Sequence, residues 1–182
     1  MKRALLVIDY TRDFIDGALP VGQPGAAIEN RLATITEEAI VQGDYVVFAV
    51  DKHQAHDPYH PETTLFPPHN IEGTSGRALY GRLQNIYTTY QDRGNVMYMD
   101  KTRYSSFVGT NLEIQLRARQ IQEIHLVGVC TDICVLHAAV DAYNKGFRIT
   151  VHEDAVASFN QVGHNWALQH MKHCLGATIC SL

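Results

Sequence analysis

The sequence predicts an α/β fold: a doubly wound, mainly parallel sheet of six strands with helices on both faces. Short apolar runs alternate along the 182-residue chain with longer segments whose apolar residues recur at helical spacing. The short runs are apolar at nearly every position, which suits strands buried on both faces of a parallel sheet. Regular alternation of such strands with helices is typical of doubly wound sheets.

The predicted strands and helices follow one another in a regular order. Strands are predicted at residues 3–9, 45–50, 95–100, 123–129, 147–152 and 177–182. Helical spacing predicts helices over about residues 26–42, 77–90, 112–119, 131–145 and 163–174. The segment 51–76 fits neither pattern and is rich in proline and glycine, and loops of this length in a compact domain are usually functional.

Length and composition favour one soluble domain over residues 1–182. A chain of this size buries roughly 70% of its unfolded surface, which is enough for a full core. The net charge of −4 provides no broad basic field for nucleic acid, and we expect no membrane partner because no apolar run of about 18 residues is present. The N-terminus enters a strand pattern without a signal peptide, so we expect a cytoplasmic protein without disulfides.

Charged residues stand at the ends of the first three predicted strands. Asp9 ends the first strand, Asp51 follows the second, and Lys101 follows the third. Ligands of open parallel sheets bind outside the carboxyl ends of the strands, so we expect these side chains to lie along one edge of a site. The ordinary alternative for each residue alone is a solvated loop acid or a surface lysine.

Cys134 follows the fourth predicted strand, at the start of a predicted helix. Thr131 and Asp132 can cap that helix, and its free N–H groups and dipole would then lower the pKa of the Cys134 thiol. The same N–H groups can hold an oxyanion formed when the sulfur attacks a carbonyl group. The alternative is that Cys134 is a small buried apolar residue, as most free cysteines are.

Metal-binding side chains are concentrated in the segment 51–76. Four of the ten histidines of the chain lie there, and Asp51 and Glu62 are acids close to them; the histidines are His53, His56, His60 and His69. Imidazoles combined with a carboxylate suit zinc, iron or manganese, and the residue types do not choose between these ions. A set of hydrated loop histidines is the alternative interpretation.

The chain resembles the isochorismatase-like cysteine hydrolases and, within them, the nicotinamidases. The resemblance is carried in order by LLVIDYTRDF, DKH, FPPHNIEGTSG, MDKTRYSSF and GVCTDICVLHAAVDAYNKG, which together extend over essentially the whole chain. Several motifs in the right order are harder to match by chance than any one of them. The resemblance implies an isochorismatase-like, Rossmann-like domain that hydrolyses nicotinamide to nicotinate and ammonia through a thioester, in NAD salvage.

The resemblance also implies the catalytic residues. Asp9, Lys101 and Cys134 would form a catalytic triad. A cis peptide bond between Val129 and Cys130 would direct the backbone N–H groups of Cys130 and Cys134 toward the oxyanion, as an oxyanion hole.

A metal site and a ring pocket are implied in the same way. One divalent metal ion per site, with zinc favoured over iron or manganese, would be held by Asp51, His53 and His69. Glu62 would lie nearby and reach the metal through water. The aromatic residues expected to line the ring pocket are Phe14, Phe66 and Tyr104. Nicotinamide and pyrazinamide are the expected substrates, and a homo-oligomer is the expected assembly.

Three departures from the nicotinamidase pattern concern the surroundings of the triad. Phe66 and Asn70 stand where many nicotinamidases have tryptophan and cysteine, and Gly76-Arg-Ala replaces Gly-Ala-Glu. These changes leave open which amides are accepted.

Two other functions remain open from the sequence. One is an isochorismatase-like hydrolase of a vinyl ether or of another small amide, such as carbamoylsarcosine. Isochorismatases lack the cysteine and the metal loop, which argues against the vinyl ether. The other is a metal-binding or redox-sensing module in which Cys130 and Cys134 oxidise together, which would leave Asp9 and Lys101 without a role.

Overall fold

Six strands form one sheet in the computed structural model, which describes residues 2–181. The strands are β1 (Arg3–Ile8), β2 (Tyr45–Asp51), β3 (Val96–Lys101), β4 (Glu123–Val129), β5 (Arg148–Ala157) and β6 (Thr178–Cys180). Their order across the sheet is β3-β2-β1-β4-β5-β6, and each neighbouring pair runs parallel. The predicted doubly wound parallel sheet is confirmed.

Helices cover both faces of this sheet. They are α1 (Arg12–Ile15), α2 (Gln23–Ala27), α3 (Glu29–Gln42), α4 (Arg82–Tyr90), α5 (Leu112–Ala118), α6 (Leu136–Asn144) and α7 (Gln161–Cys174). Apolar residues of α3 and α4 form one core with one face of the sheet, and those of α5, α6 and α7 form a second core with the other face. Within residues 2–181, no helix is long and apolar enough to cross a membrane.

Strand β1 lies in the middle of the sheet and contributes to both cores. Its alternate side chains point to opposite faces, so Leu6 and Ile8 join one core while Leu5 and Val7 join the other. All four side chains are almost fully buried. Burial of each such side chain stabilises the fold by about 1.5–3 kcal/mol, which explains why this run is apolar at successive positions.

Several predicted boundaries differ from those observed. The helix predicted over residues 77–90 begins only at Arg82, because Ser75–Arg77 forms a separate 3-10 turn. The strand predicted to end at residue 152 continues to Ala157, because the chain rejoins β4 after a bulge opposite Leu126 and Gly128. The last predicted strand included Leu182, which lies outside the described residues.

Gly128 marks the closest approach of β4 to β1. Its φ is +117°, and a Cβ atom there would lie 2.0 Å from the carbonyl oxygen of Ile8. A Gly128→Ala substitution is therefore expected to lower the free energy of unfolding by about 3 kcal/mol or more, through backbone strain and a clash with backbone atoms. Urea denaturation measures this effect.

Gly94→Ala is the matched control. No atom lies within 4 Å of a Cβ built at Gly94, and its φ is not in the left-handed region. Its unfolding free energy is expected to change by about 0.5 kcal/mol at most. Equal effects of the two substitutions would contradict the proposed role of Gly128 in the contact between β1 and β4.

Candidate active site

The carboxyl ends of β1, β2 and β3 bring three buried charged residues together. Asp9 directly follows β1, while Asp51 and Lys101 are paired as the last residues of β2 and β3. Lys101 Nζ lies 2.7 Å from Asp9 Oδ2 and 2.5 Å from Asp51 Oδ1. The backbone N–H of Asp51 donates to Asp9 Oδ1 at 2.8 Å. One lysine therefore bridges two carboxylates that are shielded from water.

Cys134 joins this group from the end of β4. A cis peptide bond links Val129 to Cys130, as the family resemblance implied, and a π-helical turn, Thr131–Val135, then leads into α6. The Cys134 thiol interacts with the Asp9 carboxylate and lowers its pKa. The Cys134 sulfur and one oxygen of each aspartate all lie within 4.8 Å of one another, and Cys134 is only 4% exposed. The structure thus brings together the three residues of the predicted triad.

The charges of the group follow from its burial. Burial, followed by the repulsion of Asp51, raises the pKa of Asp9 to about 7 in spite of Lys101. Burial acts to lower the pKa of Lys101, but the attraction of Asp51 and Asp9 outweighs it and holds that pKa well above its ordinary value.

The pKa of the Cys134 thiol differs from the sequence-based expectation. A lowered pKa was expected for Cys134, and this is wrong for the resting protein. Burial raises the pKa of the thiol well above its ordinary value, Lys101 lowers it, and the two carboxylates raise it further. The loss of hydration outweighs the nearby cation, so Cys134 is protonated at neutral pH until a base removes its proton.

Beside this group, four metal-binding side chains converge. One ligand atom from each of Asp51, His53, Glu62 and His69 lies within 4.8 Å of the others, and all four residues are buried. His53 Nε2 is 3.8 Å from Glu62 Oε1 and 4.0 Å from Asp51 Oδ2, and His69 Nε2 is 3.5 Å from Glu62 Oε2. Among the described residues, Asp51 Oδ2 and both Nε2 atoms are buried without a hydrogen-bond partner. A cation would satisfy these lone pairs, so the residues fit a divalent metal ion.

The loop holds its histidines in different ways. His69 Nδ1 lies 2.8 Å from the carbonyl oxygen of Pro67, which can only accept, so the lone pair of His69 Nε2 faces the cluster. His60 Nε2 instead contacts the carbonyl oxygen of Thr102 at 2.8 Å, and His56 is exposed. Only two of the four loop histidines therefore belong to the cluster.

A cavity of about 170 Å³ opens next to the cluster. Its walls include His53, Glu62, Phe66 and His69. Of the other two predicted ring-pocket residues, Phe14 is buried with its ring centre 5.1 Å from that of His69. The pKa of the half-buried Tyr104 is raised to about 12, first by burial and then by its neighbours Glu62, Cys134 and Asp51.

A family model described as the isochorismatase domain matches residues 3–181. The chain belongs to the isochorismatase family. The resemblance seen in its motifs is thereby confirmed.

Close relatives within the isochorismatase family match nearly the whole chain. An uncharacterized isochorismatase family protein of Bacillus subtilis (strain 168), PncA, is 61% identical, with 98% of this chain and 99% of that protein covered. A crystal structure of nicotinamidase/pyrazinamidase PncA from Bacillus subtilis is 59% identical, has a TM-score of 0.97, and covers 99% and 100% of the two chains. The pyrazinamidase of Pyrococcus horikoshii in complex with zinc is 27% identical, with a TM-score of 0.86 and full coverage of both chains.

In this isochorismatase family chain, residues distant in sequence fix the turn that carries Cys134. The side chains of Thr131 and His164 meet at 2.8 Å, and the Ser158 hydroxyl donates to Asp132 Oδ1 at 2.6 Å. A Cβ atom on Gly163 would lie 2.0 Å from Asp132 Oδ2, so α7 can approach the turn this closely only with glycine there. Sequence analysis missed these residues, because nothing local in the sequence pairs the end of β5 and the start of α7 with residues 131–132.

Proposed function

We propose that this chain is a cysteine amidohydrolase that converts nicotinamide to nicotinate and ammonia, and that also accepts pyrazinamide. The proposal depends on one observation: a buried thiol lies within 4.8 Å of an oxygen of an aspartate that is paired with a lysine, beside four converging metal-binding side chains. The similarity to the Bacillus subtilis nicotinamidase/pyrazinamidase supports the choice of substrates. From the family resemblance we also propose a homo-oligomeric enzyme that acts in NAD salvage.

The first half of the reaction forms a thioester. Asp9, whose pKa of about 7 suits a base at neutral pH, takes the proton of the Cys134 thiol. Lys101 favours the resulting negative charge, and the sulfur forms a bond to the carboxamide carbon. The carbonyl electrons move to the oxygen, which the backbone N–H groups of Cys130 and Cys134 stabilise by about 3 kcal/mol each. When these electrons return, the carbon–nitrogen bond breaks and Asp9 protonates the departing ammonia.

The second half releases the acid. Asp9, again ionised, takes a proton from a water molecule whose oxygen attacks the thioester carbon. The carbon–sulfur bond then breaks, the carboxylic acid leaves, and the sulfur regains a proton from Asp9. Burial of Cys134 and its neighbours excludes bulk water during these steps, which strengthens the attraction of Lys101 for the developing negative charge.

Asp51, His53 and His69 would hold one divalent metal ion, with Glu62 reaching it through water. Imidazole and carboxylate ligands suit zinc, iron or manganese, and zinc is favoured because the pyrazinamidase of Pyrococcus horikoshii binds it. When bound, such an ion would supply an open coordination position that a pyridine nitrogen can fill. His53, His69 and Phe66, which line the cavity, would then orient the ring so that its carboxamide lies toward Cys134.

Ammonia release from three amides tests the proposed activity. Nicotinamide and pyrazinamide both carry a ring nitrogen meta to the carbon that bears the amide, and both are expected to be hydrolysed. Benzamide has no ring nitrogen, and its kcat/KM is expected to be lower by about 100-fold or more, as when a site's polar group is left unpaired.

A His69→Ala variant provides the control for this selectivity. It is expected to bind less metal by elemental analysis and to lose most activity toward nicotinamide, while the low activity toward benzamide changes little. No ammonia from either nicotinamide or pyrazinamide would overturn the proposed function. Benzamide turnover as fast as that of nicotinamide would retain amide hydrolysis but rule out orientation by the ring nitrogen.

A further inference from the structure

Four side chains form a connected row on the α3 face of the sheet. They lie apart from the catalytic group, which consists of Asp9, Lys101 and Cys134 with the neighbouring metal-binding side chains. Glu123 Oε1 lies 3.3 Å from His125 Nε2, and His125 Nδ1 lies 2.9 Å from His152 Nε2. His152 Nδ1 in turn lies 3.5 Å from Cys180 Sγ. The row crosses β4, β5 and β6, nearer the amino end of β4 than the site that contains Cys134.

The contacts with Glu123 and Cys180, at the two ends of the row, determine which ring nitrogens of His125 and His152 carry a hydrogen. A carboxylate only accepts hydrogen bonds, so His125 carries its hydrogen on Nε2 and directs the lone pair of Nδ1 at His152. His152 Nδ1 has Cys180 Sγ as its outer neighbour, and sulfur can accept as well as donate. His152 Nε2 can therefore face His125 either with a proton or with a lone pair, and in the second case a cation fits between the two rings.

The distance between the inner nitrogens selects the kind of cation. Two nitrogens bound at about 2.05 Å to one ion lie about 2.9 Å apart at a right angle and about 3.3 Å apart at the tetrahedral angle. The observed separation of 2.9 Å matches the right angle. Ni²⁺ and Cu²⁺ prefer nitrogen ligands at right angles, whereas structural Zn²⁺ sites are tetrahedral.

The surroundings permit such an ion to enter and to be held. Both rings line a cavity of about 200 Å³ that also reaches Glu38 and Asp44 on the side of α3. Arg3 lies in the same cavity, but its guanidinium is occupied by Asp44 at 2.6 Å and by the Gln42 side chain at 2.8 Å.

We propose that His125 and His152 form a second metal site, separate from the catalytic group, that binds Ni²⁺ or Cu²⁺. Glu123 and Cys180 hold the outer ring nitrogens, an arrangement that fixes ring orientation around bound metals. Water molecules complete the coordination from the cavity.

Equilibrium dialysis against Ni²⁺ with elemental analysis tests the site. His125→Asn and His152→Asn are each expected to bind one Ni²⁺ per chain fewer than the wild type. The control is His173→Asn, which changes an exposed histidine of α7 whose Nε2 contacts Gln169 Oε1 at 3.1 Å, and it is expected to bind as many Ni²⁺ as the wild type. The test compares the number of Ni²⁺ ions bound per chain in the variants and the wild type. It therefore does not depend on whether the proposed amide hydrolysis occurs. Unchanged stoichiometry in both histidine variants would overturn the proposal.

A measurement on the wild-type protein covers the case in which a variant fails to fold. Crystals soaked in Ni²⁺ and measured at the nickel absorption edge are expected to show an anomalous peak at about 2.1 Å from both His125 Nδ1 and His152 Nε2. Absence of that peak, when a nickel peak is present at the catalytic group, would also overturn the proposal.

Discussion

A Cys134→Ala variant is expected to lose about 10³-fold or more of the amide-hydrolysing turnover while keeping the fold. The Cys134 sulfur lies within 4.8 Å of one oxygen of Asp9 and one of Asp51, and no other cysteine among residues 2–181 belongs to this cluster. Removing the nucleophile from a comparable catalytic group costs several orders of magnitude in rate. Alanine fills nearly the same small volume, so unfolding free energy should change by about 1–2 kcal/mol. Steady-state ammonia release and urea denaturation measure the two effects.

Cys130→Ala is the matched control for this experiment. Cys130 also lies near the end of β4 and is also buried, but it belongs to the core on the opposite face from Cys134. Burial raises the pKa of Cys130 to about 12, followed by the charges of Asp132 and Asp9, while Ser158 and the backbone of Phe159 lower it. The Cys130→Ala variant is therefore expected to keep most of its turnover. Loss of activity in that variant, with activity retained after Cys134→Ala, would show that the assignment of the nucleophile is wrong.

The sequence predicted the position of the charged residues because it predicted the sheet. Once three strands are parallel, their carboxyl ends lie at one edge, and the register pairs Asp51 directly with Lys101. Asp9 follows the neighbouring strand β1, so its carboxylate reaches the same lysine. Only the order of apolar runs and the charges that follow them were needed for this inference.

The choice among the four loop histidines needed more than spacing. In the structure His53 forms an isolated bridge with Ile71, and its N–H donates to the carbonyl oxygen of Asn70 at 3.0 Å. These contacts bring His53 beside His69, sixteen positions later in the chain. No regular spacing relates the two histidines. The residues alone therefore predicted a metal site but not which histidines form it, and only the family resemblance indicated His53 and His69.

The sign of the thiol pKa shift could not be read from the sequence. The start of a helix and a nearby lysine both predict a lowered pKa, and Lys101 does act in that direction. Two carboxylates and almost complete burial act in the other direction, and burial is a property of the assembled fold. The contacts of Asp132 with Ser158 and Gly163 are hidden from the sequence for the same reason.

A Lys101→Met variant is expected to lose most activity and to be less stable by about 3–5 kcal/mol, the usual cost of removing one partner of a buried ion pair. Methionine keeps the length of the side chain, so the main change is the loss of positive charge between Asp9 and Asp51. Without that charge the Cys134 thiolate also loses its attraction to a cation. Ammonia release measures the loss of activity, and urea denaturation of protein stripped of metal by a chelator measures the loss of stability.

The same substitution predicts a change in pH dependence. The pKa of Asp9 is already raised to about 7, and losing Lys101 raises it further because Lys101 lowers it. A carboxyl group with a raised pKa in the folded state contributes stability below its unfolded value, near 4, and loses that contribution as pH rises. The stability of Lys101→Met should therefore fall more steeply than that of the wild type between pH 5 and pH 8.

Two further variants separate this electrostatic effect from a general effect of removing a lysine. The double variant Asp9→Asn/Lys101→Met is expected to recover part of the lost stability and to remove the steep pH dependence, because no repelling carboxylate pair remains. The effects of the two single substitutions on the free energy of unfolding should therefore not add.

Lys52→Met is the matched control, since Lys52 pairs with Glu72 and Asp100 at the exposed surface. Equal losses of stability in Lys52→Met and Lys101→Met, with the same pH dependence, would mean that the buried position of Lys101 between two aspartates has no special energetic role.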